Sequence, residues 1–214
     1  MTAAGGLAGC ATESHRAIQP ETVNSAGTAY SGPKSTLTVG QFDNHSPYLR
    51  GVFSDGVDRL GSQAKSILVT HLQQTGRFVV VDRDNMAEIT NEAAIRGAQV
   101  KLKGANYVLT GEVTDFGRKE VGDTELFGIL GSGKKQVAYS KVNLNVVDVV
   151  TSEVVFSTQG AGEYALGDRE VLGFGGASSY DSTLNGKVLD LAIREAVNRL
   201  VDAVEQGKWK PESQ

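Results

Sequence analysis

The segment from Ala105 to Val150 constrains the fold most, because apolar residues recur there at every second position over two long runs. "GANYVLTGEVTDF" predicts a strand over Ala105–Phe116, and "QVAYSKVNLNVVDVV" predicts its return over Val137–Val150. A further strand is expected to start at Glu153, after a tight Thr-Ser turn. One side of the return strand carries four apolar residues, namely Ala138, Val142, Leu144 and Val146.

Helices and further strands flank this segment. The predicted order is β-α-β-α-β-β-β-α, which indicates an α+β, α/β-like domain with a single mixed sheet and helices packed on it. The elements outside the central segment are strands over Ser35–Phe42 and Arg77–Arg83 and helices over Ser54–Thr75, Asn85–Arg96 and Thr183–Gln206.

The helix ends and buried faces follow from local signals. We expect Gly76, Gly97 and Gly207 to end the three helices, and Asp84 to cap the second. The residues predicted to be buried are Val57, Leu60, Ala64, Ile67, Leu68 and Leu72 in the first helix and Leu189, Ile193, Ala196, Val197, Leu200 and Val204 in the last.

The stretch "FGILGSGKKQ", Phe127 to Gln136, is similar to the phosphate-binding loop of a nucleotide hydrolase. That loop needs a Ser or Thr after its lysine to hold magnesium, and it must open a helix. Here Lys135 follows Lys134, and a strand follows both. We therefore interpret the stretch as a glycine-rich turn between two strands, and we expect no bound nucleotide.

Composition argues against several functions. The net charge is −4 and the Lys and Arg residues are scattered, so nucleic acid is not an expected partner. The isolated histidines offer no metal-ligand spacing: they are His15, His45 and His71. The charged run from Asp82 through Arg83 to Asp84 is interpreted as a strand end that meets a helix cap. We expect no catalytic residue, cofactor or metal, and therefore no enzyme.

Cys10, the only cysteine, lies in "LAGC", which resembles the lipobox of bacterial lipoproteins. A lipobox cysteine becomes the acylated lipid anchor. A signal peptide needs an apolar stretch of roughly 7–15 residues, whereas only "MTAAGG" precedes Leu7. Either the true start lies upstream, or the tetrapeptide occurs by chance; we favour the lipobox.

The chain is predicted to divide into four parts. Residues 1–10 form a truncated signal and lipobox segment, and residues 11–34, rich in small and polar residues, form a flexible tether. Residues 35–210 form the folded domain, and residues 211–214 form a tail. Because Ala11 rather than Asp follows the cysteine, we expect the anchor to lie in the outer membrane, with the domain on its periplasmic face.

Four stretches resemble the CsgG/HfaB family of curli assembly and transport lipoproteins. They are "SILVTHLQQTGRFVVVDRDNMAEITNEAAI", "GANYVLTGEVTDF", "KVNLNVVDVVTSEVVFS" and the final "GKW" at Gly207 to Trp209. The resemblance covers Ser35 to Trp209 in the same element order. In the best-known members, a ring of periplasmic domains contributes two hairpins per subunit to one transmembrane channel.

The resemblance implies a role for two glycine-rich excursions, Gly117–Gln136 and Phe156–Ser182, which occupy the places of the two membrane hairpins. Charged residues break the apolar alternation of the first, beginning with Arg118 and Lys119. The family's constriction segment falls near Gly51–Gly56, where no residue matches it. Two interpretations therefore stay open: a complete pore, or long hairpins on a periplasmic domain.

By this resemblance the chain is expected to be a periplasmic lipoprotein that acts in secretion or assembly of cell-surface material, as a homo-oligomer. Its partners would be secreted fibre subunits or envelope-assembly proteins. The alternative is a lipid-tethered adaptor or activator of an envelope enzyme, such as a cell-wall synthase, that forms no pore.

Overall fold

A computed structural model describes residues 19–48, 56–122, 134–167 and 183–211. Its element order is the predicted one. The elements are β1 (Ser35–Asn44), α1 (Arg59–Thr75), β2 (Phe78–Val81), α2 (Met86–Ile95), β3 (Tyr107–Gly122), β4 (Lys134–Asp148), β5 (Val154–Gly167) and α3 (Thr183–Glu205).

The strands form one mixed sheet in the order β2-β1-β3-β4-β5. β1 pairs in parallel with both β2 and β3, whereas β4 runs antiparallel to β3 and to β5. Parallel neighbours need long crossover connections, and these contain α1 and α2. The strands without intervening helices are the antiparallel ones. The predicted class, a single mixed sheet with helices packed on it, is confirmed.

The hydrophobic core lies between one face of the sheet and the helices α1 and α3. The face of β4 predicted from alternation is completely buried, from Ala138 to Val146. Leu37 of β1 and Leu109 of β3 meet α1 and α3 from the same face, and α3 is buried along its length from Val188 to Leu200. Burial of this face is the main source of stability, since each fully buried large apolar side chain contributes about 1.5–3 kcal/mol.

Helix α1 begins five residues later than predicted, because Asp58 caps it. One Asp58 carboxylate oxygen accepts from the backbone N–H of Gly61 at 2.7 Å, and the other accepts from the N–H of Asn44 at 2.6 Å. Val57 therefore precedes the helix and is 60% exposed, so its predicted burial is wrong. The predicted end is correct, since Gly76 adopts the left-handed conformation that favours glycine.

Helix α2 differs from the prediction at its start and in its packing. Asn85, not Asp84, occupies the cap position. No residue of α2 is buried, and α2 packs against none of the other described helices and strands. The predicted helix is present, but connectivity rather than core burial fixes its place.

The second predicted excursion, Phe156–Ser182, has to be shortened. Its first part, up to Gly167, is the sheet strand β5, which pairs with β4 along its length. The glycines of β5 allow α3 to pack close to the strand. A Cβ atom added at Gly160 would lie 1.9 Å from the carbonyl oxygen of Ala192 and 2.6 Å from the backbone nitrogen of Ala196, so no side chain fits there. This stretch was read from sequence as one arm of a hairpin, whereas its small residues serve close packing with α3. Residues 168–182 lie outside the described residues.

Trp209 follows α3 and closes the core beside the C-terminal end of that helix. Its ring stacks on Phe156 with the centroids 5.9 Å apart and meets Tyr107 edge-on at 5.3 Å. Phe78 completes the aromatic cluster at 6.2 Å. The "GKW" motif thus places the Trp209 indole against aromatic side chains of β2, β3 and β5.

We expect Gly160→Ala to destabilise the fold. The added methyl group meets backbone atoms of α3, which cannot move away as a flexible side chain does, so the helix must shift from the sheet. Overpacking of this kind costs about 1–3 kcal/mol in the free energy of unfolding. Urea unfolding measures the change.

The matched control is Gly186→Ala, in the first turns of α3, where the nearest atom to an added Cβ is 3.6 Å away. Alanine is a better helix former than glycine by about 1 kcal/mol, so this variant should be more stable than the parent chain. A Gly160→Ala protein as stable as the Gly186→Ala protein would contradict the close packing of α3 on β5.

Candidate functional site at the excursion end

Several chain segments meet at one end of the sheet, here named the excursion end. β3 ends there at Gly122, β4 begins at Lys134, and β5 ends at Gly167. α3 begins near the same end. The ammonium group of Lys187, in the first turns of α3, lies 5.2 Å from the centre of the Tyr164 ring near the end of β5. Since β1 runs parallel to β3, the connection from β1 to α1 leaves in the same direction, from Asn44 beside Val113 of β3. Both predicted excursions therefore emerge together.

The connection from β1 is held by a polar network around Asn44. Its side-chain oxygen accepts from the backbone N–H of Ser46 at 3.0 Å and from the Ser46 hydroxyl at 2.6 Å, and its amide donates to the carbonyl of Tyr48 at 2.8 Å. Asp58 receives the backbone N–H of Asn44. These bonds fix both ends of the connection, of which residues 49–55 lie outside the described part. Gly51–Gly56, the range near which the family's constriction segment falls, lies mostly there.

Arg118 joins the excursion end to α3. Its Nε donates to the side-chain oxygen of Asn185 at 2.9 Å, and the Asn185 amide donates to the Tyr48 hydroxyl at 2.7 Å. The Tyr48 ring packs on Phe116 with the centroids 4.7 Å apart. β3, α3 and the β1–α1 connection are thereby joined through three polar side chains and one aromatic pair.

Lys119 has partners on the open face of the sheet, the face opposite α1 and α3. Its ammonium group lies 3.0 Å from the carboxylate of Glu163 and 5.8 Å from the centre of the Tyr139 ring. A shallow cavity of about 280 Å³ adjoins this pair and is lined by Asp115, Tyr139, Ser140, Lys141, Ala161, Gly162 and Glu163. Arg118 and Lys119, which interrupt the predicted alternation of the first excursion, thus bind other parts of the domain. Residues 123–133 of that excursion lie outside the described part.

Residues 19–30, here named the N-terminal segment, lie along α3. Val23 is 2% exposed and belongs to the core, and the backbone N–H of Asn24 donates to the Asn198 side chain at 3.0 Å. Glu21 pairs with Arg194, one helical turn closer to the start of α3. From Asn24 back to Glu21, the segment therefore runs in the direction of the excursion end, with Glu21 beside the middle of α3.

The N-terminal segment falls within the range 11–34 that the sequence predicts as a tether. Its residues are small and polar as expected, but they are docked because Arg77 binds their carbonyl groups. Residues 11–18 lie outside the described part, and so does Cys10, so the lipid anchor stays a prediction.

The histidines in the described part have structural partners. His71 is 2% exposed between α1 and α3, where Nε2 lies 2.8 Å from a carboxylate oxygen of Asp190 and Nδ1 lies 3.1 Å from the Gln74 side-chain oxygen. His45 Nδ1 lies 3.1 Å from Glu112 on the open face.

The charged run after β2 forms a turn. Asp82 accepts hydrogen bonds from the Asn85 side chain at 2.6 Å and from the backbone N–H of Asp84 at 2.8 Å. Asp84 pairs with Lys65 at 2.6 Å, and Arg83 donates to the carbonyl of Lys103. The interpretation as a strand end that leads into a helix is correct, although Asp82 rather than Asp84 binds the backbone there.

Two absences hold within the described residues only. No group of three or more His, Cys, Asp or Glu side chains there is arranged to hold a metal ion. Of the helices described, none has the length and apolar character needed to cross a membrane.

Sequence reasoning missed Arg77, Asn44 and Asn185. Asn44 and Asn185 stand near the ends of predicted elements, where short polar side chains bind free backbone groups, so their positions carried a signal. Arg77 was read as the first residue of a strand. Its burial was not visible, because its partners lie about 50 and 128 residues away in sequence.

The family relationship follows from the whole folded part. The sequence model of the curli production assembly/transport component CsgG matches residues 22–214. The chain belongs to the CsgG family. Its match begins at the N-terminal segment, before β1, so the docked segment lies within the family region.

A relative in Neisseria meningitidis serogroup B, NMB1126/NMB1164, is named as a candidate lipoprotein. It is 62% identical over 209 residues, which cover 98% of this chain and 94% of the relative.

Solved structures resemble the fold. Lipoprotein GNA1162 from Neisseria meningitidis is 15% identical with a TM-score of 0.39, over 80% of this chain and 99% of that one. PelC from Paraburkholderia phytofirmans, solved as a dodecamer, is 18% identical with a TM-score of 0.38, over 79% and 93%. At these identities and TM-scores the likeness carries no conclusion about this chain.

We expect Asp82 to titrate below the ordinary value of about 4 for an aspartate. The hydrogen bond from the Asn85 side chain, followed by the backbone N–H groups of Asp84 and Asn85, lowers the pKa of Asp82. A carboxyl group whose pKa is lower in the folded state stabilises the fold above its unfolded pKa. That contribution is lost as the pH falls through the folded pKa.

Carboxyl-carbon NMR titration measures the Asp82 midpoint directly. In the variant Asn85→Ala the midpoint should move up towards the ordinary value, because the largest cause of the lowering is removed. A midpoint in the parent chain at or above the ordinary value would contradict the turn.

Proposed function

We propose that this CsgG-family chain is a lipid-anchored protein of the outer membrane that acts in secretion or assembly of cell-surface material. Its domain stands on the periplasmic face, and several copies form a homo-oligomer around a channel. Cys10 carries the acyl anchor. The family match and the relative named as a candidate lipoprotein support this proposal.

One structural observation supports the proposal in addition to the family match. Both excursions leave the domain at the excursion end, and the β1–α1 connection and the N-terminal segment run towards it, with Glu21 beside Arg194 in the middle of α3. A lipid anchor that precedes Glu21 brings this end to the membrane. The glycine-rich residues between β3 and β4, and those between β5 and α3, then face the bilayer together.

The domain is built to present these segments rigidly. Arg118, Asn185 and Tyr48 tie β3, α3 and the β1–α1 connection to each other. A channel needs each subunit to hold its membrane-facing segments in one geometry, since backbone groups without partners are costly in lipid. The network at the excursion end supplies such a support.

We further propose that the protein catalyses no reaction and needs no cofactor. The charged groups that suggested chemistry, Asp82, Arg83 and Asp84, have structural partners. An unchanged rate of secretion by the variant Asp82→Asn would agree with a purely structural role. A loss of secretion with the fold intact would argue for a role in chemistry.

A second function, that of a tethered adaptor or activator of an envelope enzyme, has one observation in its favour. Helix α2 packs against no other described element, and Ile95 near its end is 71% exposed. Exposed apolar helices of this kind are common docking elements. In this alternative the excursions are periplasmic hairpins and no channel forms.

Class averages of the acylated protein separate the two functions. The protein, expressed with a complete leader, is extracted from outer membranes in mild detergent and imaged by electron microscopy. Rings with a central channel are the expected result. Monomers or dimers would overturn the channel and leave the adaptor.

Conductance then tests the excursions themselves. Replacing residues 123–133 by a short Gly-Asn turn leaves the paired parts of β3 and β4 in place, and we expect conductance in planar bilayers to be lost while the urea midpoint stays unchanged. The control is the turn at the other end of the sheet, where Val149–Ser152 is replaced by Asn-Gly. Conductance that survives the first replacement would contradict a channel made by this excursion.

A further inference from the structure

The side chain of Arg77 is buried, at 5% exposed, yet it carries a permanent charge. A buried charge is costly unless it is paired and fully hydrogen-bonded. Arg77 is the first residue after the glycine that ends α1, and it faces the N-terminal segment and the end of α3. Its partners therefore show what this position binds.

The guanidinium group uses all of its nitrogens. Nε and Nη2 both donate to one carboxylate oxygen of Glu205, at 2.9 and 2.6 Å. Nη1 donates to the backbone carbonyls of Thr75, Ser25 and Thr28 at 2.7, 3.3 and 3.2 Å, and Nη2 also donates to the Thr28 hydroxyl at 2.7 Å. Three of these bonds go to the N-terminal segment.

The segment is shaped to offer these acceptors. The N–H of Ala26 donates to the carbonyl of Val23, and the N–H of Thr28 donates to the carbonyl of Ser25, so two successive turns form. Gly27, within the second turn, has a φ of 72°, which glycine adopts without strain. The ring of Tyr30 then lies 5.0 Å from the guanidinium carbon, at a distance typical of a cation–π contact.

Further contacts extend the docking along α3. Val23 enters the core, Asn24 bonds Asn198, and Glu21 pairs with Arg194. The exposed ion pair contributes little by itself. The burial of Val23 and the hydrogen bonds of Arg77 are the two contacts whose loss would destabilise the docked segment.

We infer that α3 and Arg77 form an intramolecular binding site for the chain's own N-terminal segment, and that Arg77 is the residue that holds it there. The inference rests on the proposed function only where it concerns the membrane. Bound, the segment leaves residues 11–20 as the link between the predicted anchor and the domain. Released, the link extends through residues 11–34.

The two states differ in reach. A flexible link has an end-to-end distance of about 5–6 Å times the square root of its residue number, which gives roughly 17 Å in the bound state and roughly 27 Å in the released state. The bound segment therefore holds the excursion end close to the bilayer. Release allows the domain to move away and to rotate.

Hydrogen exchange of the full chain tests the site without reference to the membrane. In Arg77→Met, we expect the backbone N–H groups of Ala26 and Thr28 to exchange at least tenfold faster, while those in the centre of β3 and β4 keep their rates. The matched control is Arg199→Met, which removes an exposed arginine paired with Glu195 on α3 and should change neither set.

Two results would overturn the inference. One is unchanged exchange at Ala26 and Thr28 in Arg77→Met. The other is an equal acceleration in the core strands, which would make Arg77 a general stabilising residue instead. If Arg77→Met does not fold, Val23→Asp tests the same site from the side of the segment, with the same expected release and the same contradiction.

The membrane consequence has its own measurement. Energy transfer from a dye at Lys187, introduced as Lys187→Cys, to an acceptor in vesicles reports the distance of the excursion end from the bilayer. With the acylated protein, Arg77→Met should increase this distance, because the link lengthens from roughly 17 Å to roughly 27 Å. An unchanged distance would overturn the role in spacing. Failure to form rings would overturn the channel and leave the binding site intact.

Discussion

The close packing of α3 on the sheet is the constraint on which the other features depend. At Gly160 the helix backbone comes so near to β5 that no side chain fits between them. This approach fixes the direction of α3 against β5, and hence places its start beside Arg118 and its end beside Trp209. The N-terminal segment, in turn, takes its direction from α3 through Asn198 and Arg194. One helix therefore orders both ends of the molecule.

The Trp209 end and the excursion end of the domain differ in structure, and each suits a different task. The end with Trp209 is closed by aromatic packing and by the short turn in which Asp148 accepts the N–H groups of Val150 and Thr151. The excursion end is open: long connections leave it, and a network of polar side chains with one aromatic pair joins its elements. A domain that stands on a membrane and holds segments towards it needs such a rigid base and such an open end.

Much of the fold could be predicted because its signals are local. The alternation of apolar residues predicted β3 and β4, and the helical spacing of apolar residues predicted α1 and α3. Glycines predicted the helix ends. The failures have physical reasons: Asp58 caps α1 through Gly61 and also binds Asn44 at the end of β1, and the small residues of β5 serve contact with α3 rather than a free hairpin. Arg77 resembled an ordinary polar residue at a strand start, because only the folded chain brings Thr28 and Glu205 to it. Family resemblance, not residue chemistry, supplied the predicted function.

The central claim is that the excursion end faces the membrane. Spin labels at Lys187, near the start of α3, and at Val150, in the turn between β4 and β5, lie roughly 35 Å apart along the sheet. The acylated protein is bound to vesicles that contain a nickel-chelating lipid, whose paramagnetic ion relaxes nearby labels. The account predicts strong relaxation of the label at Lys187 and almost none at Val150. Equal relaxation at both positions, or stronger relaxation at Val150, would contradict it.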